Sequence, residues 1–256
     1  MNYKGYLIDL DGTLYNGTEL IETAKDFVEK LTEKNIPYVF LTNNATKSQE
    51  EAVQKVLDMG VETTPENMYT SSMATAAYIK QHHRGSTAYV IGTPSLKEIL
   101  QDSGIILTEE DADLVIMGLD LEVDYDKLSR AALLIAGGAT FIATNPDKRF
   151  PTEDGIVPGN GAIQQVLIET TGIQPVTIGK PSGFILDGAL KQLGLGKDEV
   201  ALIGDNYDTD ILTGINAGVD TIHVDTGVSR TEDVLKKDIT PTHTINNLSE
   251  WSIKYD

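Results

Sequence analysis

Short, nearly continuous apolar runs recur along this chain at residues 6–10, 38–41, 87–91, 114–117, 140–143, 176–178, 200–203 and 221–224. Between them the apolar residues change to helical spacing, as in Ala24, Phe27, Val28 and Leu31, with Asn35 as a stop. Ser48 and Glu51 form a capping-box pattern opening a helix that Gly60 closes, and further helical patterns cover 94–102, 124–135, 161–171 and 183–193. Buried strands alternating with helices predict an α/β fold with a largely parallel, doubly wound sheet. In such a sheet ligands collect beyond the carboxyl ends of the strands.

Polar clusters stand where runs end: Asp9 and Asp11, Thr42-Asn43-Asn44, Gly179-Lys180-Pro181, and Gly204-Asp205. The alternation of an extended chain sets Asp9 and Asp11 on the same side, and two carboxylates held close call for a cation or a shared proton. A transferring phosphoryl group spreads negative charge over its oxygens, so its catalysis consists mainly of positioning and of cations and donors aimed at that charge. Thr42 offers a hydroxyl and neighbouring amides, and Lys180 a mobile ammonium. Asp205 follows the apolar run Val200-Ala201-Leu202-Ile203, where an oxygen ligand could meet Asp9 around a hard cation.

Composition narrows the partners. Of 256 residues, 39 are acidic and 20 basic, and the net charge of −19 disfavours nucleic acid. No apolar stretch approaches the roughly 18 residues of a membrane helix, so no membrane partner is expected. The first residues lack the apolar core and cleavage site of a secretory signal, which gives a cytoplasmic expectation. A homo-oligomer is left open. There is no cysteine, hence no disulfide or thiolate metal site.

Asp9-Leu10-Asp11-Gly12-Thr13 at the first strand exit resembles the first motif of the haloacid dehalogenase superfamily, D-x-D-G-T. Thr42 matches the second motif, Lys180 in Gly-Lys-Pro the third, and Gly204-Asp205 with Asp210 the fourth. Leu41-Thr42-Asn43-Asn44, Ala143-Thr144-Asn145-Pro146-Asp147 and Pro158-Gly159-Asn160-Gly161-Ala162 are similar to segments of its NagD-type, class IIA phosphatases. The resemblance spans essentially the whole chain.

It implies a Mg²⁺-dependent phosphatase of small phosphomonoesters, such as a sugar phosphate, nucleotide or cofactor phosphate. Asp9 would attack phosphorus and Asp11 would serve as general acid and then base. Mg²⁺ would be held by the Asp9 carboxylate, the Asp11 carbonyl and Asp205, with Asp210 as an outer acid holding Lys180. Thr42, Asn43, Asn44 and Lys180 would meet the substrate. The resemblance also implies a discontinuous core, 1–79 and 179–256, with an α/β cap at 80–178. Consistent with an insertion, the interval between Thr42 and Lys180 far exceeds the dozen or so residues of a single crossover. Lys148, Arg149 and Phe150 fall in a cap loop, and Arg149 and Phe150 are candidates for contacting the leaving group. A phosphotransferase or phosphonate hydrolase using the same Asp9, and a catalytically decayed phosphate sensor, remain open alternatives.

Other patterns carry less. Gly179-Lys180-Pro181-Ser182 lacks the first glycine of a P-loop, because position 174 is Gln. Gly159-Asn160-Gly161 follows a Pro-containing loop, which argues for a turn into a helix and against a dinucleotide fingerprint. His82 and His83 have no third ligand nearby for zinc, and Asp208 reads as a surface acid.

Overall fold

The computed structural model describes residues 3–152 and 154–253. Its backbone divides into two compact units, Met1–Thr42, Gln49–Tyr69 and Lys180–Asp256 in the first, Asn43–Ser48 and Thr70–Gly179 in the second.

The first unit is built on a sheet ordered His243–Ile245, Asp220–Val224, Val200–Gly204, Gly5–Ile8, Tyr38–Thr42, Met68–Thr70. The central pairings are parallel. These strands read as continuous apolar runs because both faces are covered: Leu7, Ile8, Phe40, Leu41, Leu202 and Ile203 have no measurable exposure. Full burial of such a side chain stabilises by about 1.5–3 kcal/mol. Helix Glu22–Glu33 packs on this core through Ala24, Phe27, Val28 and Leu31, the spacing that predicts it. Asn35 then takes a left-handed conformation (φ 54°) and ends the run. Helix Gln49–Asp58 follows Ser48, and Gly60, at φ 78°, turns the chain away.

Chain order sets the functional edge of this sheet. From the central strand Gly5–Ile8 the chain proceeds outward to Tyr38–Thr42, and later returns on the other side at Val200–Gly204. The strand order therefore reverses between Gly5–Ile8 and Val200–Gly204, the place where open α/β sheets hold ligands.

The second unit repeats the principle with a parallel sheet ordered Val176–Thr177, Thr140–Ala143, Leu114–Met117, Thr87–Ile91, Ile106–Leu107. Helices Pro94–Asp102, Tyr125–Ala136 and Asn160–Thr171 start at the side-chain caps Thr93 and Asp124 and at Gly159, respectively. Here the reversal lies between Thr87–Ile91 and Leu114–Met117, and Leu96 fills it: a Cβ on either Gly92 or Gly118 would fall 2.6 Å from its Cδ2.

Two features of this unit differ from the sequence reading. Arg149 and Phe150 do not lie in a loop; they open strand Arg149–Thr152, paired antiparallel with Gly155–Pro158 in a two-stranded ribbon. Pro151 argues against a strand, yet a two-stranded ribbon has a free edge on which proline costs no ladder bond. Helix Ser71–His82 has no apolar stripe to reveal it, because Ser71, Ser72, Ala74, Thr75, Ala76 and Ile79 are buried together. His82 ends that helix, and its ring lies tilted at 31° to that of Tyr78, with centroids 4.6 Å apart.

Candidate active site

Sheet register brings the strand exits level. Ile8 pairs with Ile203 on one side and with Phe40 on the other, so Asp9, Thr42 and Asp205 leave three adjacent strands at neighbouring heights. The Asp9 amide extends the ladder by donating to the Ile203 carbonyl at 2.9 Å.

Beyond Asp9 the chain winds tightly around one acceptor, the Leu10 carbonyl, which receives the amides of Thr13, Leu14 and Tyr15 at 2.8–3.2 Å. Gly12 sits at φ 91°, a conformation that disfavours other residues. A Cβ there would collide with the Asp205 carboxyl group, and so would one on Gly227 from another loop. Two glycines thus cradle Asp205. Asp11 is exposed, and Tyr15 donates to its Oδ2 at 3.4 Å.

Lys180 arrives just before helix Gly183–Leu193 with its side chain buried. Its ammonium contacts Asp9 Oδ1, lies 2.6 Å from Asp210 Oδ1, and donates to the Leu41 carbonyl at 3.2 Å. Asp210 is carried by a wide helical turn, Tyr207–Ile211, and its Oδ2 accepts the Asn206 amide at 3.0 Å. Asp205 Oδ2 accepts the Val228 amide at 2.6 Å, and Thr13 donates to Oδ1 at 3.4 Å. Asp208 points outward and pairs with Lys237 at 3.5 Å.

The electrostatics are unbalanced. Burial, reinforced by the charge of Asp210, lifts the Asp9 carboxyl well above the usual carboxylate range despite Lys180. Burial and Asp210 likewise push Asp205 up to about 7. Burial pulls the Lys180 pKa down, but Asp210 and Asp9 outweigh it and keep the ammonium charged. One ammonium cannot neutralise three buried carboxylates, so a further cation is favoured. Oxygens of Asp9, Asp205 and Asp210 lie within 4.8 Å of one another. An all-oxygen donor set suits a hard divalent cation, and the residues therefore fit a metal.

The structure brings together Asp9, Asp205, Asp210 and Lys180, with Asp11 in the turn that follows Asp9 and Thr42 at the end of the adjacent strand Tyr38–Thr42. Asn43, Asn44, Arg149 and Phe150 belong to the second unit. There Asn43 donates to Asp147 at 3.2 Å, and its carbonyl accepts Ser71 Oγ at 2.7 Å and Asn145 Nδ2 at 2.9 Å. Asn44 Oδ1 accepts the amide and hydroxyl of Thr46 at 2.9 and 2.6 Å. Arg149 is exposed and Phe150 half-buried. Sequence reasoning missed Thr13, Tyr15, Gly227 and Val228. Thr13 and Tyr15 stand inside or beside the first motif, whereas the Val228 amide has no side-chain signal at all.

Comparisons with known proteins agree along the chain. Residues 6–106 match the family described as haloacid dehalogenase-like hydrolase, and residues 177–251 match the HAD-hydrolase-like family. An acid sugar phosphatase of Staphylococcus aureus is 48% identical over 249 residues, 97% of this chain and 96% of that protein. Among solved structures, a single mutant of the thermostable NPPase from Geobacillus stearothermophilus superposes with a TM-score of 0.94 at 42% identity, covering 99% of this chain and 100% of that one. A 4-nitrophenylphosphatase from Thermotoga maritima gives a TM-score of 0.93 at 32% identity, covering 98% of each chain.

Proposed function

The chain belongs to the haloacid dehalogenase-like hydrolases and is a phosphoric monoester hydrolase, and we propose that it works through a phosphorylated Asp9 with Mg²⁺ as its metal. The observation that carries this reading is the buried group Asp9, Asp205, Asp210 and Lys180 at the reversal point of the sheet.

Family members generally use a divalent metal, and the oxygen-only donors favour Mg²⁺. Asp9, Asp205 and the Asp11 carbonyl would hold it, and when bound it would supply positive charge against the phosphoryl oxygens. The remaining work falls to the chain. Asp9, oriented by Lys180, attacks phosphorus and forms an acyl phosphate as the leaving oxygen departs. Asp11, on the exposed side of the turn and oriented by Tyr15, gives that oxygen its proton. The same carboxylate then takes a proton from the water that attacks phosphorus, releasing inorganic phosphate and restoring Asp9. Thr42 and Lys180 donate to the phosphoryl oxygens. Asp210 keeps Lys180 charged and aimed.

The substrate is proposed to be a small phosphomonoester, with sugar phosphates favoured by the Staphylococcus aureus relative's name. Asn43, Asn44, Arg149 and Phe150 of the inserted unit are proposed to contact the substrate, the last two selecting its leaving group. Metal-stripped protein assayed on p-nitrophenyl phosphate and a panel of sugar phosphates, before and after Mg²⁺ is restored, tests the reading. Turnover should require the metal and vary with the sugar. Full turnover without any divalent cation would refute the metal assignment.

A further inference from the structure

His223 sits on strand Asp220–Val224, beside Gly204 in register and without measurable exposure. Its Nε2 is 3.2 Å from the Asp205 carbonyl and 3.0 Å from the Ser229 carbonyl. Carbonyl oxygens only accept, so Nε2 must carry the proton and share it between them. Nδ1 is then a bare acceptor, and it has no hydrogen-bond partner among the described residues. Leaving a buried acceptor unpaired costs about 1–3 kcal/mol. An aliphatic residue on this strand would avoid that cost but could not hold two carbonyls.

Those carbonyls belong to the two sides of the Asp205 support. Asp205 leaves strand Val200–Gly204; Ser229 ends the segment that also contributes the Val228 amide to Asp205 Oδ2 at 2.6 Å. The Ser229 amide returns to the Asp205 carbonyl at 3.3 Å, and Ser229 Oγ accepts the Tyr207 amide at 2.9 Å at the start of the turn carrying Asp210. Upstream, Thr226 Oγ1 donates to the Gly12 carbonyl at 2.6 Å, tying the segment to the Asp9–Gly12 turn. The segment has little apolar anchorage of its own, since Val228 is 71% exposed.

We propose that His223 is a positioning residue for the metal site: its Nε2–H clasps the Asp205 and Ser229 carbonyls, holding the Val228 amide on Asp205 and so fixing the carboxylate that the metal would meet. The inference rests on the metal-site reading above. Support of this kind outside the ligands typically changes metal affinity by about 10–100-fold when it is removed.

The test measures Mg²⁺ binding directly by calorimetry on the metal-stripped full chain, alongside the Mg²⁺-induced rise in melting temperature. His223→Leu removes the clasp, His223→Asn is polar but too short to reach both carbonyls, and His223→Gln can bring an amide N–H near the Nε2 position. Leu and Asn should weaken Mg²⁺ binding by about tenfold or more, and Gln should recover most of the loss. If His223→Leu fails to fold cooperatively, the Asn and Gln pair alone decides. Wild-type Mg²⁺ affinity in folded His223→Asn would overturn the role of His223 while leaving the metal site standing. A wild-type chain that takes up no Mg²⁺ would instead overturn the metal-site reading, and with it this inference.

Discussion

The ammonium of Lys180 lies 2.6 Å from Asp210 Oδ1, with 3% and 1% of the two side chains exposed, and it also contacts Asp9. One cation therefore compensates two buried carboxylates. Removing one partner from such a group costs about 3–5 kcal/mol, because uncompensated charge stays buried. Lys180→Met should destabilise the metal-free protein by that amount in urea unfolding, as well as abolish turnover. A loss below about 1 kcal/mol would mean that the carboxylates are relieved in another way.

The carboxylates themselves give the metal-free protein a pH signature. Asp205 has its pKa pushed up to about 7 and Asp9 is also raised, so the folded state holds protons that the unfolded chain releases near pH 4. A raised carboxyl pKa contributes stability that is complete below the unfolded value and is lost as pH rises through the folded value. The Asp205 contribution to the stability of the metal-free chain should therefore fall between about pH 4 and about pH 7, by up to about 1.4 kcal/mol per pH unit, and the raised Asp9 carboxyl adds a loss of the same sign. Mg²⁺ should raise the melting temperature more at pH 8 than at pH 5, since at the lower pH protons compete for the same oxygens. Equal shifts at both would contradict this.

Gly12 has two reasons to be glycine, its φ of 91° and the Asp205 carboxyl lying where a Cβ would stand. Gly12→Ala should displace Asp205, weakening Mg²⁺ by at least about tenfold while the sheet remains intact by circular dichroism. Unchanged metal affinity would show that the turn tolerates the shift.

Arg149 is an exposed cation in a chain of net charge −19, at the start of a two-stranded ribbon. If it meets the leaving group, Arg149→Ala should raise KM for substrates with a second anionic group far more than for p-nitrophenyl phosphate. Phe150→Ala should act on substrates with an apolar or ring portion. Unchanged substrate rankings in both variants would exclude these positions as selectors.

The fold was legible because its strands are buried on both faces and announce themselves as apolar runs, and because helices such as Glu22–Glu33 bury one regular stripe. Helix Ser71–His82 escaped because serine, threonine and alanine pack on several of its sides, leaving no stripe to find. The ribbon of Arg149–Thr152 and Gly155–Pro158 escaped because its proline and mixed exposure lack a clean alternation. At the site, acids and the lysine were visible as side chains at strand exits. The contributions of Val228 and Gly227 were not, since one is a backbone amide and the other an absence of side chain. His223 was hidden for another reason: on a buried strand, only the carbonyls around it distinguish it from packing.

The central claim is that Asp9 becomes phosphorylated during turnover. Acid quenching of the Mg²⁺-loaded enzyme within its first turnover, followed by tryptic digestion and mass spectrometry, reads this on the peptide running from Gly5 to Lys25. That peptide should gain the mass of one phosphoryl group, localised to Asp9 by fragmentation, and Asp9→Asn should show neither the adduct nor measurable turnover. Turnover retained in Asp9→Asn, or an adduct localised to Asp11, would contradict the account.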